Sequence, residues 1–479
     1  MGGAYFEFFN GIAIAMLLRI FNQYIPTRKL AFFFLESIFI LGMVVLGAYL
    51  RFLGDIASFS SYESLFLKAL LIVASVQLSL YYFDLYDLKI FRSNIELGIR
   101  LLQSLGVSTI VLAVLYYLFP FLIVGRGIFI FSLGFIGAAI VSWRLVYYHI
   151  LKTKQLDQKI MIVGLGPLAK SIVGEIIEKG DTGFKVIGFI TDNPERIGEK
   201  LVNPSVIGDQ SQIFDIATRE KVNRIIVALE ERRGKFPEDQ LLSCKMRGIT
   251  VEDGIEFYEH LTGRLQVESL RPSVLIFSNG FKKSKLTMWM KRVVGFSLSF
   301  IGLALLSPLI LMISILTKID SRGPIFYRQE RVGENGKVFK LLKFRSMAEN
   351  AEANGPVWAE ANDKRNTRVG RWIRKWRLDE IPQMFNVLKG DMSFVGPRPE
   401  RPYFVETLRR EIPYYDRRFS VKPGITGWAQ IRYQYGASKI DALEKLKYDL
   451  YYIKNLSPLF DLLIIFETIK VVLFGKGAR

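Results

Sequence analysis

Four long apolar runs, Leu30–Leu50, Ser64–Phe83, Leu101–Leu122 and Gly127–Tyr148, fill most of the first 150 residues. Each has about the 20 residues that a helix needs to cross a bilayer. This restricts the fold more than any other feature, because in hydrocarbon every backbone N–H and C=O must be satisfied within the segment, so the runs must be helices. The loops give their orientation. Arg28 and Lys29 precede the first run, Lys89, Arg92 and Arg100 separate the second from the third, and Lys152, Lys154 and Lys159 follow the fourth. The other two loops hold only Arg51 and Arg126, so the positive-inside rule puts both ends of the bundle in the cytoplasm. No run has an ionisable residue at its centre, which argues for a plain anchor and against a transport path. Residues 4–25 are apolar but broken by Glu7 and Arg19, and the pattern predicts an interfacial helix.

The balance of the whole chain agrees. Half of its 479 residues are hydrophobic, yet the formal charge is +19. A membrane protein with basic cytoplasmic surfaces combines the two, since anionic lipid attracts such surfaces. Nucleic acid is disfavoured, because the basic residues flank apolar runs and no zinc-finger or RNP-like spacing is present. Cys244 is the single cysteine, which excludes an intrachain disulfide and a cysteine zinc site. His149 and His260 are the only histidines and lie far apart, which argues against histidine-based catalysis.

Residues 156–276 read as a Rossmann-like domain. KIMIVGLGPLAKSIVGEII predicts a strand, a glycine turn and a helix, with Gly164, Gly166 and Ala169 in a G-x-G-x-x-A spacing. VIGFITD ends in Asp192, where a ribose-binding acid would sit, and RIIVAL (Arg224–Leu229) predicts a further buried parallel strand. Pro167 removes a backbone donor inside the loop, so a structural or regulatory role stands beside dinucleotide binding. A membrane-bound nucleotide-sugar dehydratase or epimerase would need a Tyr-x-x-x-Lys pair within this fold. That spacing occurs only at Tyr148–Lys152 and Tyr435–Lys439, both outside it.

Residues 277–318 contain a fifth apolar stretch, Val293–Leu316. Lys282, Lys283, Lys285, Lys291 and Arg292 precede it, while Lys318 and Arg322 follow, so both flanks have cytoplasmic character. Ser307–Pro308 lies in its middle. Proline removes a helix hydrogen bond, and the serine hydroxyl can satisfy a freed carbonyl. The pattern predicts a re-entrant helix-break-helix; a kinked span is the alternative.

Residues 319–479 carry the chemistry. GPIFYRQERVGENGKVFKLLKFRSM predicts a β-hairpin around Gly333–Gly336 followed by a strand, with Lys343 and Arg345 on one strand face. Lys364–Arg377 holds seven basic residues and no acid, a solvated or headgroup-facing surface from which Arg374 stands out by its position. The adjacent acids Asp379–Glu380 follow, then an apolar helix, Gly390–Asp391 and the rigid Gly396-Pro397-Arg398-Pro399. An acid pair near a helix start is a common first-turn arrangement. With clustered arginines it also suits phosphoryl chemistry, because a carboxylate can attack phosphorus or hold a metal and guanidinium forks clamp phosphate oxygens. Pro423–Gly424 and Gly427–Trp428 form a second turn-rich segment. Leu459–Phe474 mixes apolar residues with Asp461, Glu467 and Lys470, which predicts a helix lying on the membrane.

Ser307–Pro308, LKFRSM (Leu342–Met347), RLDEIPQMFNVLKGDMSFVGPRP (Arg377–Pro399) and KPGITGWAQ (Lys422–Gln430), in this order, resemble the large polyprenyl-phosphate hexose-1-phosphate transferases. These are bacterial sugar transferases that begin exopolysaccharide or O-antigen synthesis. The resemblance covers essentially the whole chain. It implies a four-helix transmembrane bundle (1–155), a Rossmann-like domain (156–276), a re-entrant membrane helix (277–318) and a small α/β transferase domain (319–479). It also implies that hexose-1-phosphate moves from a UDP-sugar to undecaprenyl phosphate, releasing UMP, on the cytoplasmic face of the bacterial inner membrane. In that reaction Asp379 is the nucleophile, forming a phosphosugar-aspartyl intermediate. Glu380 assists by orienting the lipid phosphate or the metal, Mg²⁺ is the cofactor near Asp379 and Glu380, and Lys343, Arg345, Arg374 and Arg398 are phosphate contacts. Glucose or galactose is the sugar the family suggests, and a homodimer is consistent with it. A non-catalytic assembly protein would not need the acid pair with its arginines.

Overall fold

The computed structural model describes residues 18–20, 23–25, 27–52, 64–86, 94–152, 157–180, 182–200, 202–231, 236–270, 272–277, 280–347, 365–433, 436 and 438–473. They fall into two compact units that divide between Gly254 and Ile255, with Gln23 grouping with the second.

The first unit begins with helices α1 (Thr27–Arg51), α2 (Leu65–Tyr82), α3 (Asn94–Leu118) and α4 (Arg126–Lys152). All four are long and apolar enough to cross a membrane. Helix α1 packs along α4 and α2 along α3, around Ile40, Val44, Ala48, Val76, Ile136 and Ile140. Phe34, Ile38, Leu102, Ile110 and Ile130 point outwards, as lipid-facing positions do. Gly47 lets α1 approach the backbone of Ser132 on α4, 2.9 Å from where a Cβ would stand.

The runs carry no charge at their centres, but a charge pair is buried nearer their ends. Glu36 of α1 and Arg144 of α4 are both fully buried and form an ion pair at 2.8 Å. Tyr86 Oη donates to Glu36 at 2.6 Å, Arg144 also donates to the Leu85 carbonyl, and its guanidinium lies over the Phe32 and Tyr86 rings. The sequence pattern hid this pair because its members come from helices far apart in the chain. Of the segment 4–25, Leu18–Ile20 and Gln23–Ile25 form two short strands, which corrects the helix expected there. Residues 4–17 lie outside the described residues.

The unit continues into a five-stranded parallel sheet: β1 (Gln158–Val163), β2 (Phe184–Thr191), β3 (Val206–Asp209), β4 (Arg224–Val227) and β5 (Thr250–Asp253), in the order β3-β2-β1-β4-β5. This is the doubly wound arrangement of a Rossmann-like domain. Helix α5 (Pro167–Lys179) follows β1 through Gly164, whose φ of +117° and closeness to the Ala228 backbone both require glycine. Pro167 sits in the first turn of α5, where its missing donor is no loss. A Cβ on Gly166 would meet the Glu230 carboxylate at 2.6 Å, so an acid of the chain itself stands at the N-terminus of α5. Asp192 follows the end of β2, as the fingerprint predicts.

The second unit takes in Leu265, Val267 and Leu270, which pack with Trp428, Tyr451, Phe460 and Ile464 in its main core. Helices α6 (Lys285–Leu305) and α7 (Ser307–Asp320) are separated at Leu306, and α6 is long and apolar enough to cross a membrane. Ser307 Oγ donates to the Ala304 carbonyl at 2.8 Å, and Pro308 occupies the first turn of α7. Strands β6 (Phe326–Val332) and β7 (Val338–Phe344) form the expected antiparallel hairpin, with Phe326 opposite Phe344. Then come α8 (Arg368–Lys375), a 3-10 turn (Leu378–Glu380), α9 (Gln383–Lys389) and β8 (Ser393–Val395), the last pairing in parallel with β9 (Gly424–Thr426). Helices α10 (Pro402–Glu411), α11 (Trp428–Arg432), α12 (Lys439–Lys454) and α13 (Pro458–Leu473) complete the unit.

Helix α13, expected to lie on a membrane, is built into the core of the unit. Phe460 and Ile464 are fully buried in the core, and Asp461 pairs with Lys291 of α6. Lys291 also donates to Tyr452 at 2.6 Å, and Tyr452 donates to Asp461 at 2.8 Å. This buried triad fixes α6 to α12 and α13.

Candidate active site

The acid pair owes its placement to three local features. Arg377 has φ +54°, a left-handed conformation that turns the chain between α8 and the 3-10 turn. Leu378 and Ile381, on either side of Asp379–Glu380, pack with Leu303, Leu306 and Leu309 at the helix break, and with Phe344 of the hairpin. Asn386 of α9 accepts from Leu342 N at 3.0 Å and donates to the Lys340 carbonyl at 2.8 Å, which sets the hairpin beside the pair. Arg292 of α6 adds a charge at the other end of α9, donating to the Val387 carbonyl and, at 2.7 Å, to that of Leu388.

The two carboxylates have different surroundings. Glu380 accepts from Lys343 Nζ at 2.8 Å and from Arg398 Nη2 at 2.6 Å, both at Oε1. Burial pushes its carboxyl up, but the Arg398 and Lys343 charges outweigh this and hold it well below the usual range. Asp379 is 8% exposed and, among the described residues, accepts no side-chain hydrogen bond that would fix it. Burial pushes its carboxyl above the usual value; Lys343, Arg374 and Arg398 draw it down and Glu380 adds to the rise. The pair therefore joins a charge-paired anion to a buried carboxylate with free lone pairs.

Arg398 reaches Glu380 from a loop whose carbonyls are each held. Gly424 N donates to Pro397, Arg418 to Arg398, Arg331 to Pro399 and Val332 N to Glu400, at 2.9 to 3.0 Å. Gly396 N donates to the Thr426 carbonyl at 2.8 Å. Gly396, Gly424 and Gly427 lie so close that a Cβ on any of them would strike the backbone of another.

The structure thus brings together Asp379, Glu380, Lys343 and Arg398. Arg374 stands near, within the field of Asp379, and donates to Asn366 at 2.7 Å. Arg345 goes elsewhere, which corrects the expectation that it shares a face with Lys343: the strand ends at Phe344, and the buried Arg345 donates to the Ser321 carbonyl and hydroxyl at 2.7 and 2.9 Å. Ser307 and Pro308 shape the helix break whose leucines underlie the acid pair. Sequence reasoning missed Asn386, Arg292 and Arg418, whose contacts are long-range hydrogen bonds. The one signal at Asn386 was a polar residue on the apolar side of a short helix.

For a divalent cation, the donor set fits at one residue. Mg²⁺ is commonly held by one or two carboxylates together with substrate phosphates. Asp379 has a buried carboxylate with free lone pairs, whereas Glu380 is already occupied by two cations. Among the described residues, no group of three or more His, Cys, Asp or Glu could hold a metal.

The bacterial sugar transferase model matches residues 286–475, and the CoA-binding domain model matches residues 81–235. The chain is 32% identical over 374 residues to the undecaprenyl-phosphate galactose phosphotransferase of Salmonella typhimurium, covering 74% of this chain and 76% of that one. The chain belongs to the bacterial sugar transferase family. Its members include the polyprenyl-phosphate sugar-1-phosphate transferases. This sugar transferase is also 44% identical over 239 residues to a UDP-N-acetylgalactosamine-undecaprenyl-phosphate N-acetylgalactosaminephosphotransferase of Aeromonas hydrophila, covering 50% of this chain and 56% of that one. It is 35% identical over 303 residues to the UDP-glucose:undecaprenyl-phosphate glucose-1-phosphate transferase of Escherichia coli, covering 62% and 63%. The chain therefore spans just over half the length of the Aeromonas relative. The first of these models runs from the start of α6 into α13, so it contains every residue gathered at the acid pair.

Proposed function

We propose that this sugar transferase moves a sugar-1-phosphate from a UDP-sugar to undecaprenyl phosphate, beginning exopolysaccharide or O-antigen synthesis. The observation that carries this reading is the division of labour in the acid pair: Asp379 buried with free lone pairs, Glu380 saturated by Lys343 and Arg398. An Asp379 oxygen attacks the phosphorus that bears the sugar. The new bond joins carboxylate to phosphorus, the bond to UMP breaks, and UMP leaves with that electron pair. An oxygen of undecaprenyl phosphate then attacks the same phosphorus, and the Asp379 carboxylate departs. A covalent intermediate lets a soluble nucleotide and a lipid use one site in turn. Glu380 keeps Lys343 and Arg398 beside the reacting phosphorus, and their charges, with that of Arg374, offset the repulsion between anionic reactants. A Mg²⁺ ion held by Asp379 and the donor diphosphate would supply further charge neutralisation.

The helix break accounts for the depth of the site in this proposal. Helices α6 and α7 enter and leave one leaflet, and the residues flanking the acid pair pack on the break. The reaction then takes place on the cytoplasmic side of the inner membrane, at the level of the lipid phosphate. N-acetylgalactosamine is the first sugar to test, because the Aeromonas protein is the most similar of the three relatives above. The test is a transfer assay with undecaprenyl phosphate, Mg²⁺ and a panel of UDP-N-acetylgalactosamine, UDP-glucose and UDP-galactose. Multiple-turnover UMP release should need the lipid and vanish in Asp379→Asn; near wild-type turnover in that variant refutes the covalent step.

A further inference from the structure

Behind Arg398 the chain carries a further buried ion pair that touches neither carboxylate of the acid pair. Arg418 and Asp449 are 5% and 2% exposed, and their charged atoms are 2.8 Å apart. Arg418 Nη1 donates to Tyr415 Oη at 2.7 Å, and Nη2 donates both to Asp449 and, at 3.0 Å, to the backbone carbonyl of Arg398. The guanidinium lies 5.1 Å from the centre of the Tyr415 ring. Three elements distant in sequence meet here: the turn Tyr415–Ser420, helix α12 and the proline-flanked loop.

We propose that Arg418 and Asp449 are positioning residues for the transfer reaction, Asp449 holding Arg418 and Arg418 holding the Arg398 carbonyl so that the Arg398 side chain meets Glu380. This inference rests on the reaction proposed above. The argument is one of accounting. Pro397 and Pro399 have no N–H, so, apart from the Gly396 N–H bonded to Thr426, the loop around Arg398 is held through its carbonyls. Those of Pro397 and Glu400 are fixed by backbone donors from neighbouring strands. That of Arg398 depends on a side chain, and that side chain is buried and charged. A buried guanidinium keeps one arrangement only if a buried anion faces it. Asp449 is that anion. Removing its charge takes from Arg418 the carboxylate it bonds and leaves Glu400 as the remaining anion acting on it, so the carbonyl that Arg418 carries is displaced. The side chain of Arg398 starts from the same residue, and a displacement of about 1 Å at a catalytic contact can lower a rate about a hundredfold.

The experiment uses the full-length protein in lipid nanodiscs with undecaprenyl phosphate, comparing Arg418→Lys, Asp449→Asn, Arg398→Ala and the double variant Arg398→Ala/Arg418→Lys. UMP release per folded molecule should fall about 10- to 100-fold in Arg418→Lys and Asp449→Asn; because breaking a buried pair from one side destabilises the fold, each rate is taken on the fraction that stays folded. On the Arg398→Ala background, Arg418→Lys should lower the rate less than about twofold, because residues acting through one contact are not additive. A purely structural role predicts the same factor on both backgrounds, and that result overturns the proposal, as does a wild-type rate in Asp449→Asn. Amide exchange over residues 394–404 is the arm independent of activity: it should quicken in Asp449→Asn while the peptides of α6 stay unchanged. Unchanged exchange there overturns the proposal even if the wild type releases UMP. Absence of UMP release from the wild type with every donor counts against the reaction instead, and the exchange result still decides whether Asp449 holds the loop.

Discussion

Arg398 Nη2 lies 2.6 Å from Glu380 Oε1, and Lys343 Nζ lies 2.8 Å from the same oxygen. One carboxylate atom therefore anchors both cations beside Asp379. Its removal should release both cations together. Glu380→Gln keeps the shape but loses the charge, and should lower UMP release by about 100-fold or more, since charge-assisted bonds are roughly twice as strong as neutral ones. Arg398→Lys should be nearly as damaging as Arg398→Ala, because an ammonium cannot reproduce the guanidinium fork. Steady-state rates of the three variants on matched, folded protein check both expectations.

The charge balance at Asp379 gives a pH dependence. Burial raises its carboxyl above the ordinary carboxylate value, and Lys343 is the strongest influence drawing it back. In the proposed reaction Asp379 must be ionised to attack, so the rate should fall as pH drops through this raised value. In Lys343→Met the opposing charge is gone, the carboxyl rises further and the acid limb moves to higher pH. A pH–rate profile of the residual activity shows the sign directly; a limb that stays in place or moves down contradicts the assignment of Asp379 as the titrating group.

In the membrane bundle, Glu36→Ala leaves Arg144 buried without its counter-charge. Breaking a buried pair from one side costs about 3–5 kcal/mol, so the melting temperature of the full-length protein in detergent should fall clearly. Glu36→Leu combined with Arg144→Met removes both charges and should recover most of that loss. Transfer by the fraction that stays folded should be near wild type, because neither residue belongs to the acid-pair site.

Chelation separates the metal from the protein charges. EDTA should stop UMP release and added Mg²⁺ should restore it. Asp379→Asn should not be rescued at any Mg²⁺ concentration, whereas Lys343→Met should gain more than wild type from excess Mg²⁺, a second cation partly replacing the first. Titration of Mg²⁺ in the three proteins tests this ordering.

Much of the architecture could be read from local pattern. Apolar length marked the bundle, alternation and glycine spacing marked the parallel sheet and the hairpin, and Ser307–Pro308 marked the break between α6 and α7. Asp379, Glu380 and Arg398 were visible because acids, arginines and paired prolines cluster in one stretch. Where reading failed, the cause was distance along the chain. The destination of Arg345 is set by Ser321 on another element, and the strand's early end at Phe344 breaks the alternation that linked it to Lys343. Glu36 and Arg144 are 108 positions apart (144 − 36), and neither is remarkable among its own neighbours. The anchoring of α13 depends on Asp461 finding Lys291, which a helical period cannot show.

The three glycines at positions 396, 424 and 427 tie two turns into one mechanical part. Neither turn has room to accept a side chain unless the other withdraws, and a withdrawal would carry Arg398 with it. Substitutions in GPRP and in KPGITG should therefore be tolerated as matched sets or not at all. A mutant library that randomises either turn alone should return almost nothing but the parent glycines.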